Sequence, residues 1–481
     1  MESPALGTQV RSNGTAGRSA RVPRIGLLGI MQELYDETFP DITERQGSYA
    51  REIIGALGDG VEVSFPGPAR NRADIEARVR QFNAEGLDGI LIVMLTYGPA
   101  LRTVRALREN RLPVMLANTQ PLRTITDDWD MSHLTFNQGV HGAQDMANTL
   151  VRLGVPFPVI SEDWRSDAFR EFVTDWAHAA QAAQSMRTMR LAQFGQMPGM
   201  GDILTDEAAF MRALGPQTDR VSLGTIVEIM DGLPDEDVEA AMAEDRENFE
   251  IDENLGEEQH AYASRLQVAF ERYLEREGYD GFSVYFDAIG DDGRFEQIHM
   301  LAASNLMAKG YGYGGEGDMC TTALVTAGHV LAPDAHFTEM YAMDFERDSV
   351  LQSHMGEGNW KVARKDRKPK LIDRPLGIGG LDNPPTVLFQ AEPGTATLVS
   401  LVPLEGERYR LVVSVGEVLD TEEMPNVEMP YFHFRPDTGV RACLDGWLRH
   451  GGTHHQCLHL GDVSRRWEMF CELTGVEYAR V

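Results

Sequence analysis

Apolar residues in the first 120 positions fall into short unbroken runs separated by amphipathic stretches. Arg24–Ile30 and Gly89–Leu95 are almost continuously apolar, the pattern of parallel strands buried on both faces. Val61–Phe65 and Pro113–Asn118 read as further strands. The stretches 41–57, 73–85 and 100–110 between them read as helices. The resulting β-α-β-α-β-α-β rhythm predicts a doubly wound parallel sheet. Such sheets bind ligands beyond the carboxyl ends of their strands. Those ends carry Gln32-Glu33-Leu34-Tyr35, Thr96-Tyr97-Gly98 and Asn118-Thr119-Gln120.

A second α/β region runs from about Arg190 to Ala335. Thr225–Met230 and Gly281–Phe286 are expected as strands, and His260–Glu277 and Ile298–Lys309 as helices. Pro234–Glu258 is packed with Asp and Glu; it reads as a solvated helical face or insertion, with a divalent-cation sink as the alternative. After Phe337 the pattern changes. Thr386–Val402 and Tyr409–Gly416 alternate and are rich in Val, Thr and Leu, predicting antiparallel strands. Asp462–Leu473 is expected as a helix with Asp462 as its N-cap, followed by a closing strand, Val476–Val481.

The 481 residues suggest two to four domains at about 100–200 residues each. With 44 basic and 74 acidic residues the net charge is −30, which repels phosphate backbones and argues against a nucleic-acid partner. Four cysteines without a CxxC pair argue against a thiolate zinc site and a thioredoxin-like motif. They suit a reducing cytoplasm. No apolar run approaches the ~20 residues of a membrane helix. Residues 1–23, without an apolar core, read as a flexible tail rather than a secretory signal. No GxGxxG follows the first strand and no GxxxxGK[ST] occurs, so a nucleotide-binding reading is weak.

Four segments carry candidate chemistry. In Gly310-Tyr-Gly-Tyr-Gly-Gly-Glu316-Gly-Asp318 a carboxylate sits among glycines, where backbone can approach a ligand closely or simply turn into a helix. Glu339 lies in a strand-like Phe-Thr-Glu-Met-Tyr, and His354 follows in Ser-His-Met. Gly451-Gly-Thr-His454-His455 ends in adjacent histidines. In an extended segment these would point to opposite faces, one towards a metal and the other towards substrate or a supporting shell. Together the carboxylates and imidazoles form a mixed O/N set that suits Mn²⁺, or Co²⁺ or Mg²⁺, with positions left for substrate oxygens.

These segments resemble the L-arabinose isomerase family, within the fold group shared with L-fucose isomerase. GYGYGGEGD followed by TTAL (Gly310–Leu324), FTEMY (Phe337–Tyr341), SHM (Ser353–Met355), LGIGG (Leu376–Gly380) and GGTHH (Gly451–His455) stand in the family's order. Weaker matches are QELY (Gln32–Tyr35), LTYGPA (Leu95–Ala100), NTQ (Asn118–Gln120), NQGVHG (Asn137–Gly142), FG…TDE (Phe194–Glu207) and Phe286-Asp287. The resemblance implies an α/β protein of three domains: a flavodoxin-like doubly wound domain (24–188), a central α/β domain (189–335) and a β-rich C-terminal domain (336–481).

It further implies a metal-dependent aldose–ketose isomerase, converting L-arabinose to L-ribulose through a cis-enediol. Glu316, Glu339, His354 and one of the His454–His455 pair, taken as His455, would hold Mn²⁺. Glu316 and Glu339 would also be the acid/base pair, and His141 would assist ring opening or bind the sugar. Gln32, Leu34, Tyr35, Gln138 and His454 would contact substrate, with Phe286 and Ile378 as apolar wall. In this family N-terminal residues reach a neighbouring subunit's site, which implies a trimer-based homo-oligomer. No membrane partner is implied.

The chain departs from the family pattern at several points. Gln32-Glu33 stands for Gln-His, Leu95 for a His before Thr-Phe, and Met319-Cys320 for Trp-Lys. Thr119-Gln-Pro-Leu122 stands for Thr-Gln-Phe-Asn, and the Glu339–His354 spacing is about two residues shorter. The metal set is intact while several changes fall at expected sugar-facing or nearby positions. The alternatives are therefore another aldose, such as L-fucose or D-galactose, or a non-catalytic sugar-binding protein.

Overall fold

The structure, a computed structural model, describes residues 21–377 and 380–481. The expected tail lies almost wholly outside the described residues, and so does Ile378.

The N-terminal sheet contains β1 (Arg24–Ile30), β2 (Glu62–Ser64), β3 (Gly89–Met94), β4 (Val114–Asn118) and β5 (Val159–Ser161). The strands run parallel in the order β2-β1-β3-β4-β5. Its unbroken apolar runs follow from burial on both faces. Ile25, Leu27, Leu91 and Val93 enter one hydrophobic cluster, while Leu28, Ile30, Ile90 and Ile92 enter another on the opposite side. Helices Ile42–Leu57, Arg72–Ala84 and Val104–Glu109 lie close to their expected positions.

The central region holds β6 (Arg190–Phe194), β7 (Gln217–Arg220), β8 (Glu250–Ile251), β9 (Gly281–Val284) and β10 (Gly312–Gly315). Four of these form a parallel sheet in the order β10-β9-β6-β7. The expected strand Thr225–Met230 is instead part of a helix, Gly224–Asp231. Ile226 and Met230, four residues apart, bury one face against helix Glu257–Glu277, so a period of 3.6 overrides the β-propensity of Thr-Ile-Val. The acidic segment is a helix, Asp235–Asn248, with Asp235, Glu236 and Asp237 in its first turn, where the helix dipole favours them.

The C-terminal strands are β11 (His336–Asp344), β12 (Ser349–Ser353), β13 (Lys370–Asp373), β14 (Pro385–Leu388), β15 (Gly394–Pro403), β16 (Tyr409–Val418), β17 (Tyr431–Pro436), β18 (His455–Leu460) and β19 (Glu477–Arg480). Their main sheet runs β15-β18-β11-β12-β17-β16-β19, and β15 also pairs with β16, closing six antiparallel strands into a ring. β19 adds in parallel to β16. The expected strand Thr386–Val402 is two strands, β14 and β15, which belong to different sheets. β13 pairs with β14 and with β8, stitching the C-terminal region to the central one. The last helix is Ser464–Thr474, capped at Val463; Asp462 instead accepts from Ser464 N (3.0 Å) and Oγ (2.6 Å). Among the described residues no helix is long and apolar enough to cross a membrane.

Candidate active site

The site forms where β10 of the central sheet meets the C-terminal ring. β10 ends at Gly315 and is followed by Glu316, whose backbone takes the left-handed conformation (φ 62°), at a cost of about 1–2 kcal/mol for a non-glycine residue. Its backbone is tied on both sides: Glu316 N donates to Val284 O (3.1 Å) and its carbonyl accepts from Met197 N (2.8 Å). Gly317 follows with φ 91°, and a Cβ there would lie 2.6 Å from Gln196 Cα. Only glycine fits that turn. Asp318 then caps helix Met319–Leu331 by accepting from Thr321 N at 2.9 Å. The glycine-rich run is thus both a helix start and a carboxylate cradle.

Strand register supplies the rest. Glu339 on β11 lies opposite His455 on β18 and opposite Ser353 on β12, with His354 the next residue. His455 Nε2 is 3.2 Å from Glu316 Oε2 and 3.5 Å from Glu339 Oε1. His354 Nε2 is 3.9 Å from Glu339 Oε2. His454 Nε2 is 3.5 Å from Glu339 Oε1 and 3.9 Å from Glu316 Oε2. The expected opposition of the two adjacent histidines does not occur. β18 begins only at His455, and the two rings lie side by side with centroids 4.1 Å apart.

Each imidazole is held from behind by a carboxylate. Nδ1 of His354 donates to Glu357 (2.6 Å), that of His455 to Asp318 (2.9 Å) and that of His454 to Asp202 (2.7 Å), which also accepts from His454 N (3.0 Å). The forward nitrogens are left over. Nε2 of all three histidines and Oε2 of Glu316 are buried without a hydrogen-bond partner.

Electrostatics agree with this geometry. Burial lowers the affinity of the three imidazoles for protons, but the carboxylates outweigh it: His454 is lifted to about 9, His455 well above its ordinary value, and His354 upwards. Burial likewise pushes Glu316 and Glu339 up, yet the neighbouring imidazoles hold both below the usual carboxylate range. The centre therefore attracts positive charge. A divalent cation fits it. Glu316, His454 and His455 offer donor atoms within 4.8 Å of one another, as do Glu339, His354 and His455. Ligands about 2.1 Å from a six-coordinate ion are separated by roughly 3.0–4.2 Å. Carboxylates behind the histidines fix their tautomers as in metal sites generally.

Gln32, Leu34, Tyr35, Gln138 and His141 lie elsewhere, on the N-terminal domain. His141 is exposed and its ring lies tilted against Tyr97 (4.9 Å between centroids). Leu34 is 56% exposed, and Gln138 keeps a buried, unpartnered Nε2. The hydrogen bonds and ion pairs of Glu316, Glu339, His354, His454 and His455 within this chain involve none of the five. Phe286 begins the helix after β9, the strand beside β10, with its ring against Tyr285.

Three of the departures from the family pattern lie in the interior of this chain. Leu95 is 1% exposed in the core behind β1, and Met319 and Cys320 are equally enclosed. Asp318, Glu357 and Asp202 were not foreseen. The His-x-x-Glu spacing of His354 and Glu357 and the Glu-x-Asp of Glu316 and Asp318 were visible signals, whereas Asp202 lies 252 residues from its partner.

Family comparisons cover nearly the whole chain. The L-arabinose isomerase N-terminal, central and C-terminal domains match residues 26–188, 190–334 and 334–477. With the three-domain architecture, these matches define an aldose–ketose isomerase. Curated relatives are similar over comparable lengths. L-arabinose isomerase 1 of Bacillus licheniformis is 29% identical over 93% of this chain and 91% of its own length. The L-arabinose isomerase of Bacillus subtilis is 27% identical over 93% and 91%, and that of a Nocardioides species 28% over 94% and 92%. The chain belongs to the L-arabinose isomerase family.

Proposed function

We propose that the protein isomerises L-arabinose to L-ribulose using a divalent cation, Mn²⁺ in the first instance, with Co²⁺ or Mg²⁺ as substitutes. The observation that carries this reading is that three partnerless imidazole Nε2 atoms and Glu316 Oε2 fall into two donor triads, Glu316 with His454 and His455 and Glu339 with His354 and His455, that share His455. Glu316, Glu339, His354 and His455 would hold the ion. His455 is preferred to His454 because it is fully buried and stands nearer to Glu316. His454, partly exposed, would face the sugar. Bound there, the cation would act as a Lewis acid towards the sugar's carbonyl and adjacent hydroxyl oxygens.

The chain's own groups move the proton. Glu316 and Glu339 are held ionised and can accept it. One takes the proton from C2 of the open-chain aldose, giving a cis-enediol as O1 is protonated; C1 is then reprotonated while the O2 hydroxyl gives up its proton, so that one proton has in effect passed from O2 to O1 and the ketose is left. The carboxylates behind the histidines keep the rings aimed while charge develops.

His141, Gln32, Leu34, Tyr35 and Gln138 would complete a neighbouring subunit's site in a trimer-based oligomer. The absence of any of them from the centre's hydrogen bonds and ion pairs within one chain, and the buried, unpartnered Nε2 of Gln138, support this. Phe286 would be part of the apolar wall. The 2-1-3-4-5 strand order supports a flavodoxin-like N-terminal domain. Four buried free cysteines suit the cytoplasm. The test is ketose formation by chelator-stripped protein reloaded with Mn²⁺, across aldopentoses and aldohexoses. L-arabinose should be the best substrate. A better sugar would move the substrate assignment within the fold, and no turnover with any divalent metal would overturn the reading.

A further inference from the structure

The partner of His354 is itself part of a longer chain of bonds. Glu357 Oε2 accepts a hydrogen bond from His354 Nδ1, and its other oxygen accepts one from the Tyr313 hydroxyl at 2.9 Å. Tyr313 Oη in turn lies 2.8 Å from Nε2 of His299. All four side chains are buried. Tyr313 is wedged edge-on between Phe282 and Phe337, and Phe337 also packs on the rings of His354 and His455.

Donor counting sets the direction of every bond. An ionised carboxylate only accepts, so both the hydroxyl and the His354 Nδ1–H must point at Glu357. A tyrosine that has given its single proton can only accept from His299, which must therefore carry its proton on Nε2. His299 agrees: burial pushes it down to about 4, so it is neutral, and its Nδ1 has no partner. A reversed chain would set two lone pairs against each other at 2.9 Å. The neutral form of His354 is thereby left with its proton on Nδ1 and a bare Nε2 lone pair facing the centre.

We propose that Tyr313 and His299 are positioning residues: a one-way hydrogen-bond chain running from His299 through Tyr313 and Glu357 fixes the tautomer and ring angle of His354, so that its Nε2 is a metal ligand and not a proton donor. This rests on the divalent-cation reading of the site. The chain ends in the interior beside helix Met300–Ala308, far in sequence from β12, and so ties the central domain's packing to a ligand of the C-terminal domain.

The test titrates Mn²⁺ alone into chelator-stripped full-length protein by calorimetry, with melting in chelator as the control for folding. The variants are Tyr313→Phe, which keeps the ring, Glu357→Gln, and the two combined. Tyr313→Phe is expected to weaken Mn²⁺ binding about tenfold, and Glu357→Gln by more. The double variant should bind no more weakly than Glu357→Gln, because the hydroxyl reaches His354 only through Glu357. A role in packing alone would lower the melting temperature and leave the Mn²⁺ affinity unchanged, which overturns the proposal. Additive losses in the double variant overturn it too. If Glu357→Gln does not fold, Tyr313→Phe still decides. A wild-type protein that binds no Mn²⁺ overturns the cation reading together with this one, whereas failure of this inference alone leaves wild-type binding intact.

Discussion

Asp318 uses its two oxygens for two tasks that can be separated by mutation. Oδ1 caps helix Met319–Leu331 through Thr321 N, and Oδ2 holds His455 Nδ1, both at 2.9 Å. Asp318 and His455 are essentially without solvent contact. Asp318→Ala removes both bonds. Loss of the cap costs about 1 kcal/mol, and an unpaired buried Nδ1–H costs about 1–3 kcal/mol more, so the variant should lose roughly 2–4 kcal/mol. Asp318→Asn is different. Its carbonyl oxygen can cap the helix as well as aspartate does, which turns the amide hydrogens towards His455. The imidazole can then pair only by accepting at Nδ1, which moves its proton to Nε2 and removes the lone pair that faces Glu316 and Glu339. The asparagine variant should therefore be destabilised less than the alanine variant, yet lose Mn²⁺ affinity by about 10–100-fold. Urea unfolding in chelator measures the first quantity and Mn²⁺ calorimetry the second. Wild-type Mn²⁺ affinity in Asp318→Asn, or equal destabilisation by both substitutions, would refute the two-task reasoning.

Glu316→Gln should reduce turnover by about 10²–10⁴-fold with an unchanged melting temperature in chelator; near-wild-type activity would remove Glu316 from the acid/base pair. Mixing inactive Glu316→Gln chains with weakened His141→Ala chains should restore activity in mixed oligomers if His141 serves a neighbouring subunit, and subunit exchange without any gain would place His141 outside the site. His336 is pushed down to about 3 by burial, and its Nδ1 accepts from Asn359 N at 3.0 Å. Because the unfolded chain binds that proton first, stability falls as pH drops from about 6.5 towards the folded value, at about 1.4 kcal/mol per pH unit per such histidine. His336→Asn preserves an acceptor, so its urea midpoint should fall less steeply below pH 6.5 than the wild type's; parallel slopes contradict this. Leu95→His buries a polar ring beside Gly29, where a Cβ would come 2.8 Å from Leu95 Cδ1, and should destabilise by about 2–4 kcal/mol while leaving the ranking of sugars unchanged. A changed ranking would return position 95 to the sugar site.

Legibility in the sequence tracked how local each cause was. β1 and β3 were readable because burial on two faces leaves an unbroken apolar run, a property of the strand alone. Glu316, Glu339, His354 and His455 were readable as residue types, and the structure brings all four together. Thr225–Met230 was misread because six residues of β-branched and apolar character do not show the period that Leu223, Ile226 and Met230 reveal once a helix packs on them. The side-by-side histidines were misread because the alternation rule presumes a strand, and β18 starts one residue late, with Asp202 drawing His454 back by two bonds. That carboxylate comes from another domain, so nothing near His454 in the chain announces it. That Leu95 would be enclosed in the core behind β1 was not legible, because sequence does not say which way the end of a strand turns.

The centre depends on register more than on any single contact. Glu339 sits between two antiparallel partners, and its Cα faces those of His455 and Ser353 at once. Side chains alternate faces along a strand, so a one-residue slip of β18 would carry His455 to the other side of the sheet, and a slip of β12 would do the same to Ser353. The ring closure of β15 onto β16 opposes both slips, because moving one strand would break pairings around the ring. Glu316 is outside this register and is brought in by the central sheet, through bonds to Val284 and Met197. A cation bridging Glu316 to Glu339 and His455 would therefore link two independently built frameworks, and its binding energy would stabilise their docking. Chelation should then loosen the junction between the central and C-terminal domains before it loosens either sheet, an order that amide hydrogen exchange along β10 and β11 against the loop 195–206 can read directly.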